Sequence, residues 1–190
     1  MRAILCLTAL VIAAGCDRSR PDDQSRDIAE APAPSVERSG ADCSVISTKG
    51  LCGVAFGMSA EEAVAAYPGG LYGPDASAEP ASEGCYCLHV AENNYDVGFM
   101  MLDGKVERID ARVPTLSTEA GAKVGMPFAE VEALYPDAKR QPNKYMAPIE
   151  DLIADLGGGI FAIFEQDEAG AVRAFRVGRA PAAHFVEGCA

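Results

Sequence analysis

A repeat at a spacing of 68 residues constrains this chain more than any other feature of its sequence. Gly57-Met-Ser-Ala-Glu-Glu-Ala-Val-Ala-Ala-Tyr-Pro68 aligns with Gly125-Met-Pro-Phe-Ala-Glu-Val-Glu-Ala-Leu-Tyr-Pro136, and six of the twelve positions are identical. Downstream, Phe99-Met-Met-Leu-Asp-Gly-Lys-Val106 corresponds to Ile163-Phe-Glu-Gln-Asp-Glu-Ala-Gly-Ala-Val172, each reading as a strand, a turn and a returning strand. The turn glycines Gly104 and Gly170 are 66 residues apart, so the spacing drifts by two residues. Self-similarity held this closely predicts two copies of one supersecondary unit.

Each copy reads alike locally. Ser59 followed by Glu62 is a capping box, and in the second copy Pro127 takes the first helical turn. Tyr67-Pro68 and Tyr135-Pro136 stop the short helices. Strands are expected at about Tyr86–Ala91, Val97–Leu102 and Lys105–Val113, then at about Leu152–Asp155, Gly159–Glu165 and Ala171–Arg179. Asp103-Gly104 is a two-residue hairpin signal favouring a type I′ turn, with 166–170 its longer equivalent. The expected fold class is α+β: tandem α-βββ repeats, with the short helices packed on a largely antiparallel sheet. The copies span about 53–115 and 120–180 within a domain over 43–190.

The tandem Gly-Met-x-x-x-Glu starts, each leading to a strand pair, resemble the repeats of beta-lactamase inhibitory protein and of the SmpA/OmlA-type outer-membrane assembly lipoproteins. A closing Phe185-Val-Glu-Gly-Cys189 resembles the end of bacterial lipoproteins built on the same plan. The resemblance covers about Gly53 to Cys189. It implies a binding module whose sheet face meets another protein.

The amino end suggests where such a module works. Met1 to Gly15 has one Arg, an apolar run and small residues before Cys16, the pattern of a signal peptide too short to span a bilayer. Ala13-Ala14-Gly15-Cys16 resembles a lipobox, in which Cys16 becomes the lipidated first residue, although Ala13 stands where Leu, Val or Ile is preferred. Cys16 to Asp42 then reads as lipid anchor and disordered tether, rich in Asp, Arg, Ser, Ala and Pro without a hydrophobic period. The expected location is the cell membrane or outer membrane, anchored by lipid and facing the periplasm.

The net charge of −12 argues against an unaided nucleic-acid binder. Most of the acidity is the domain's own, with 11 Lys and Arg against 21 Asp and Glu. Seven cysteines point to an oxidising compartment. With Cys6 lost and Cys16 lipidated, the expected bridges are Cys43–Cys52 and Cys85–Cys189. Cys85 and Cys87 are assigned to opposite faces of one strand, leaving Cys87 the odd thiol.

No catalytic motif, cofactor motif or metal-ligand spacing emerges. Cys-x-Cys lacks the two-residue spacer of zinc knuckles and thioredoxin-like sites. Cys87 with His89 has no orienting third residue. Gly157-Gly158-Gly159 leads into a strand, so it reads as a hairpin turn and not as a phosphate cradle. Glu165, Asp167 and Glu168 read as solvated turn residues. Phe161 and Ile163 share a strand face opposite Ile160 and Phe164, so both faces of that strand are apolar. Arg108, Arg112, Arg173, Arg176 and Arg179 gather five of the domain's cations on two strands. Arg112, Arg176, Arg179, Phe161 and Ile163 form the candidate binding face, whether for a partner or an anionic ligand. The alternative is that the arginines blunt exposed strands. The function expected is a non-enzymatic, lipid-anchored envelope module that binds another envelope or secreted protein. The alternatives are a thiol-dependent redox protein, a hydrolase, or an inhibitor of a secreted enzyme.

Overall fold

Alternating apolar residues and tight turns fold the chain into two meanders whose last strands meet. The computed structural model describes residues 42–73, 84–92 and 94–187. Three short strands, β1 (Val45–Ile46), β2 (Gly50–Leu51) and β3 (Val54–Ala55), precede helix α1 (Ala60–Ala66). The first meander is β4 (Cys85–Ala91), β5 (Asn94–Leu102) and β6 (Lys105–Ala111). After β7 (Ser117–Thr118) come helix α2 (Phe128–Leu134), β8 (Lys139–Pro142), β9 (Glu150–Gly157), β10 (Ile160–Gln166) and β11 (Val172–Arg179). A 3₁₀ turn, Ala182–His184, follows. One seven-stranded sheet runs β4-β5-β6-β11-β10-β9-β8, and every neighbour is antiparallel. β1 and β7 pair in parallel outside it. The molecule is therefore a largely antiparallel sheet carrying two short helices, an α+β arrangement.

The same devices fasten the start of each helix to the sheet. Gly57 N donates to Val106 O at 2.7 Å and Val106 N to Met58 O at 2.9 Å. Gly125 N donates to Val172 O at 2.8 Å and Val172 N to Met126 O at 2.9 Å. The tyrosine closing each helix then packs on a core phenylalanine, Tyr67 on Phe99 at 5.7 Å and Tyr135 on Phe164 at 5.4 Å. The core lies between helices and sheet, where Phe99, Met101, Ile109, Phe164, Phe175 and Val177 meet Ala63, Phe128 and Val131.

Turn chemistry matches the sequence at two hairpins. Asp103 and Gly104 have φ of 50° and 75°, the two positive values a type I′ turn requires. Gly157, Gly158 and Gly159 all have positive φ, which only glycine adopts three times running without strain. Ser59 accepts from Glu62 N and its own N–H bonds the Glu62 carboxylate, so the capping box forms. Pro127, by contrast, sits at the N-cap of α2 itself, before the first helical turn, and supplies no side-chain cap.

The second half has a strand that no periodicity announced. β8 is exposed throughout and pairs with β9, ending at Pro142, which lacks an N–H to offer along an edge. The first half has only one bridge in that place, Tyr72 with His89, among the described residues. Among the described residues no helix is long and apolar enough to cross a membrane. Cys16 and the signal and tether segments lie outside the described residues.

Candidate binding face

Strand alternation puts one residue set against the helices and the other on the opposite face. Cross-strand register aligns that second set in rows: His89, Gly98, Asp110, Arg176 and Ile163 in one, Cys87, Met100, Arg108, Gly178 and Phe161 in the next. The central strands β6 and β11 thus carry charge in the middle of the sheet. Arg108 is 1% exposed, Arg176 4% and Asp110 8%.

Buried charges persist only with partners, and here the chain supplies them. Arg108 Nε bonds Asp110 at 2.9 Å, while its Nη1 donates to the carbonyls of Ala182 at 3.0 Å and Phe185 at 2.9 Å. Arg176 Nε donates to Ala183 O at 2.8 Å and its Nη1 to Glu165 at 2.5 Å. The segment 182–187 is thereby strapped across the sheet's second face. Arg173 shares the Glu165 carboxylate at 2.7 Å. At Glu187 the strap is fastened by Tyr145 and Lys144, both bonded to that carboxylate, and these bonds hold the Glu187 carboxyl down at about 2.

Between strap and strands lies a cavity of about 250 Å³ lined by Arg108, Asp110, Arg112, Glu165, Arg173 and Arg176, with Ala174 and Val186. A second, of about 150 Å³, shares Glu165, Arg173 and Val186 and reaches Asn143, Tyr145 and Asp151. Burial pushes the Asp151 carboxyl up from its ordinary value, against the bond it accepts from Asn143. Burial pushes the His89 imidazole down. Arg112 stays exposed, its Nη1 donating to Tyr95 O at 3.0 Å.

The structure separates the residues expected to form one face. Arg112, Arg176, Phe161 and Ile163 lie on the second face, but Arg179 lies on the helix side, donating to Phe56 O at 3.3 Å beside Gly57. Ile163 is buried and Phe161 packs against His184 at 4.6 Å, so the expected open apolar sheet face carries the chain's own 3₁₀ turn instead. The arginines of β6 and β11 are central, so they do not blunt sheet edges.

The cysteines need two corrections. Cys43–Cys52 is bonded as expected. Cys85 and Cys87, however, are two apart on β4 and share a face, clustering with Met100 and Ala182. Cys87 is disulfide-bonded and so is not the odd thiol. The expected Cys85–Cys189 pairing involves a residue outside the described ones. Cys87 and His89 flank Gly98, and His89 Nδ1 has no hydrogen-bonding partner among the described residues. Among the described residues no three His, Cys, Asp or Glu side chains gather as metal donors.

Sequence reasoning missed Asp110 and misplaced Glu165, which belongs to β10 and clamps two arginines. The signal was present in Arg108-Ile-Asp-Ala-Arg112, whose alternation sets three charges on one face. Comparison with solved structures finds a similar fold in the uncharacterized protein yfeY from Escherichia coli. That crystal structure aligns with a TM-score of 0.50 at 15% sequence identity, covering 72% of this chain and 100% of that one. No family model matches, and no curated protein matches. At this identity the likeness concerns the fold alone.

Proposed function

We propose that this chain is a bacterial envelope lipoprotein, anchored by lipid on Cys16, that acts as a non-enzymatic protein-binding or assembly-accessory module. The observation that carries the reading is the second sheet face, where exposed Arg112, Arg173 and Tyr145 surround a polar recess. Arginine and tyrosine are the side chains that protein interfaces concentrate, because each couples a large contact area to a polar tip. The partner expected is another envelope or secreted protein. The two halves are tandem copies of one α-β unit, supported by the matching Gly-Met clasps and Tyr–Phe contacts. That plan is the one resembling the beta-lactamase inhibitory and SmpA/OmlA-type repeats.

A photo-activated cross-linking residue at Tyr145 or Arg112, compared with one at Val64 or Leu134 on the helices, tests the face in living cells. Protein adducts are expected from the sheet-face positions. Adducts confined to the helix positions overturn the assignment. The anchor has its own test: Cys16→Ala is expected to release the protein from the membrane fraction, and unchanged fractionation removes the lipoprotein reading.

A further inference from the structure

We infer that the recess beneath Val186 is a carboxylate-binding site, an inference that rests on the reading of this face as a binding face. Among the described residues, four guanidinium groups, from Arg108, Arg112, Arg173 and Arg176, line a cavity that also holds two carboxylates, Asp110 and Glu165. This local excess of cations stands in a chain whose net charge is −12. Both carboxylates are already engaged, Asp110 by Arg108 and Glu165 by Arg173 and Arg176. Arg112 donates one bond, to the neutral carbonyl of Tyr95. Arg112 and Arg173 are both exposed and line the recess together with Ala174.

Glu165 demonstrates the chemistry in place. Its two oxygens lie 2.5 Å from Arg176 and 2.7 Å from Arg173, so guanidinium forks on β11 already hold one planar carboxylate. The space of about 250 Å³ beside it accepts a second. Asp110 and Glu165 in the same walls select a monoanion over a phosphate dianion, because each like charge in a half-enclosed site opposes added negative charge. The carboxylate comes either from a small free acid or from an acidic side chain or terminus of a bound polypeptide.

The full chain, kept in detergent at fixed ionic strength, is titrated with acetate, with an acetylated triglutamate amide and with inorganic phosphate. Backbone amide and arginine Nε resonances supply the readout. Saturable shifts at Arg112, Arg173 and Ala174 are expected with the carboxylates. Arg112→Gln and Arg173→Gln, both at exposed positions, are each expected to weaken binding about tenfold. Lys139→Gln on the outermost strand leaves it unchanged. Triglutamate binding far more tightly than acetate assigns the carboxylate to a polypeptide, and equal affinities assign it to a free acid. Phosphate binding as tightly as either carboxylate, the absence of saturable shifts, or indifference to both arginine variants overturns the inference. Cross-links from Tyr145 to a partner alongside any of those failures would leave the binding face standing and remove only the carboxylate.

Discussion

The half carrying α1 and β4–β6 and the half carrying α2 and β8–β11 share a helix clasp and a Tyr–Phe contact on the core side and differ on the side of the recess. Met58 and Met126 clasp equivalent valines, and Tyr67 and Tyr135 press on equivalent phenylalanines. On the other face, counting from the turn glycines, Arg108 stands where the second half has Ala174, and Asp110 where it has Arg176. The sheet brings the last pair together, since Asp110 and Arg176 are direct cross-strand partners at the junction of β6 and β11. Two identical halves would set like charges against each other there. Difference at that position is what permits a buried cationic centre.

The largest expected effect comes from erasing this asymmetry. Arg108→Ala gives the first half the residue of the second and strips Asp110, Ala182 and Phe185 of their shared partner. A loss of about 4 kcal/mol is expected in denaturant unfolding, with amide exchange accelerated over 182–187. A loss under about 1 kcal/mol would mean that the strap is held by something other than the arginine.

Gly178 sharpens the comparison next, as it occupies the position matching Arg112. A Cβ there would lie 2.6 Å from Glu107 O and 2.9 Å from Arg108 Cα. Gly178→Ala is therefore expected to cost about 2 kcal/mol through forced separation of β6 and β11, measured by the thermal midpoint. The reverse-position change Arg112→Gly has no such contact to break and is expected to cost far less.

The helix N-termini give a smaller, two-signed test. Ser59→Ala removes the capping box of α1 and is expected to cost about 1 kcal/mol. Pro127→Ser places a hydroxyl three residues before Glu130 on extended backbone like that of Ser59, and a gain of about 0.5–1 kcal/mol is expected. Equal and opposite shifts in denaturation midpoint would show that the two helix starts differ only in their caps.

The smallest effect is at Glu187 of the strap. Glu187 is held at about 2 by the Tyr145 hydroxyl first and the Lys144 ammonium second. A depressed carboxyl stabilises the fold above its ordinary value of 4.5, and that contribution disappears as pH falls through about 2. Tyr145→Phe is expected to move the Glu187 titration upward toward 4.5, read from its carboxyl carbon resonance. An unmoved midpoint would detach Tyr145 from the strap.

What the sequence disclosed was local. Ser59 with Glu62, Asp103 with Gly104, Cys43 with Cys52 and the short apolar runs of β5 and β10 all act within about ten residues, the range over which capping, turn type and strand runs are encoded. β8 was hidden because Lys-Arg-Gln-Pro has no apolar period, and pairing alone makes it a strand. Arg108 was grouped with arginines that face a partner or blunt an exposed strand, because alternation reports which face a residue takes but not what covers that face. Beyond Asp110, the carbonyls it bonds at Ala182 and Phe185 lie 74 and 77 residues away. Glu165 was misread for the same reason, its arginines being supplied by a neighbouring strand.

That separation sets an order of assembly. Arg108 and its strand belong to the first half, yet the carbonyls that let Arg108 leave water belong to the stretch following β11. A chain emerging from its amino end can close α1 over Phe99 early, but its Arg108 guanidinium has only the Asp110 carboxylate of its own strand until the strap arrives. The strap therefore joins the two meanders across the second face, through Arg108 of one and Arg176 of the other.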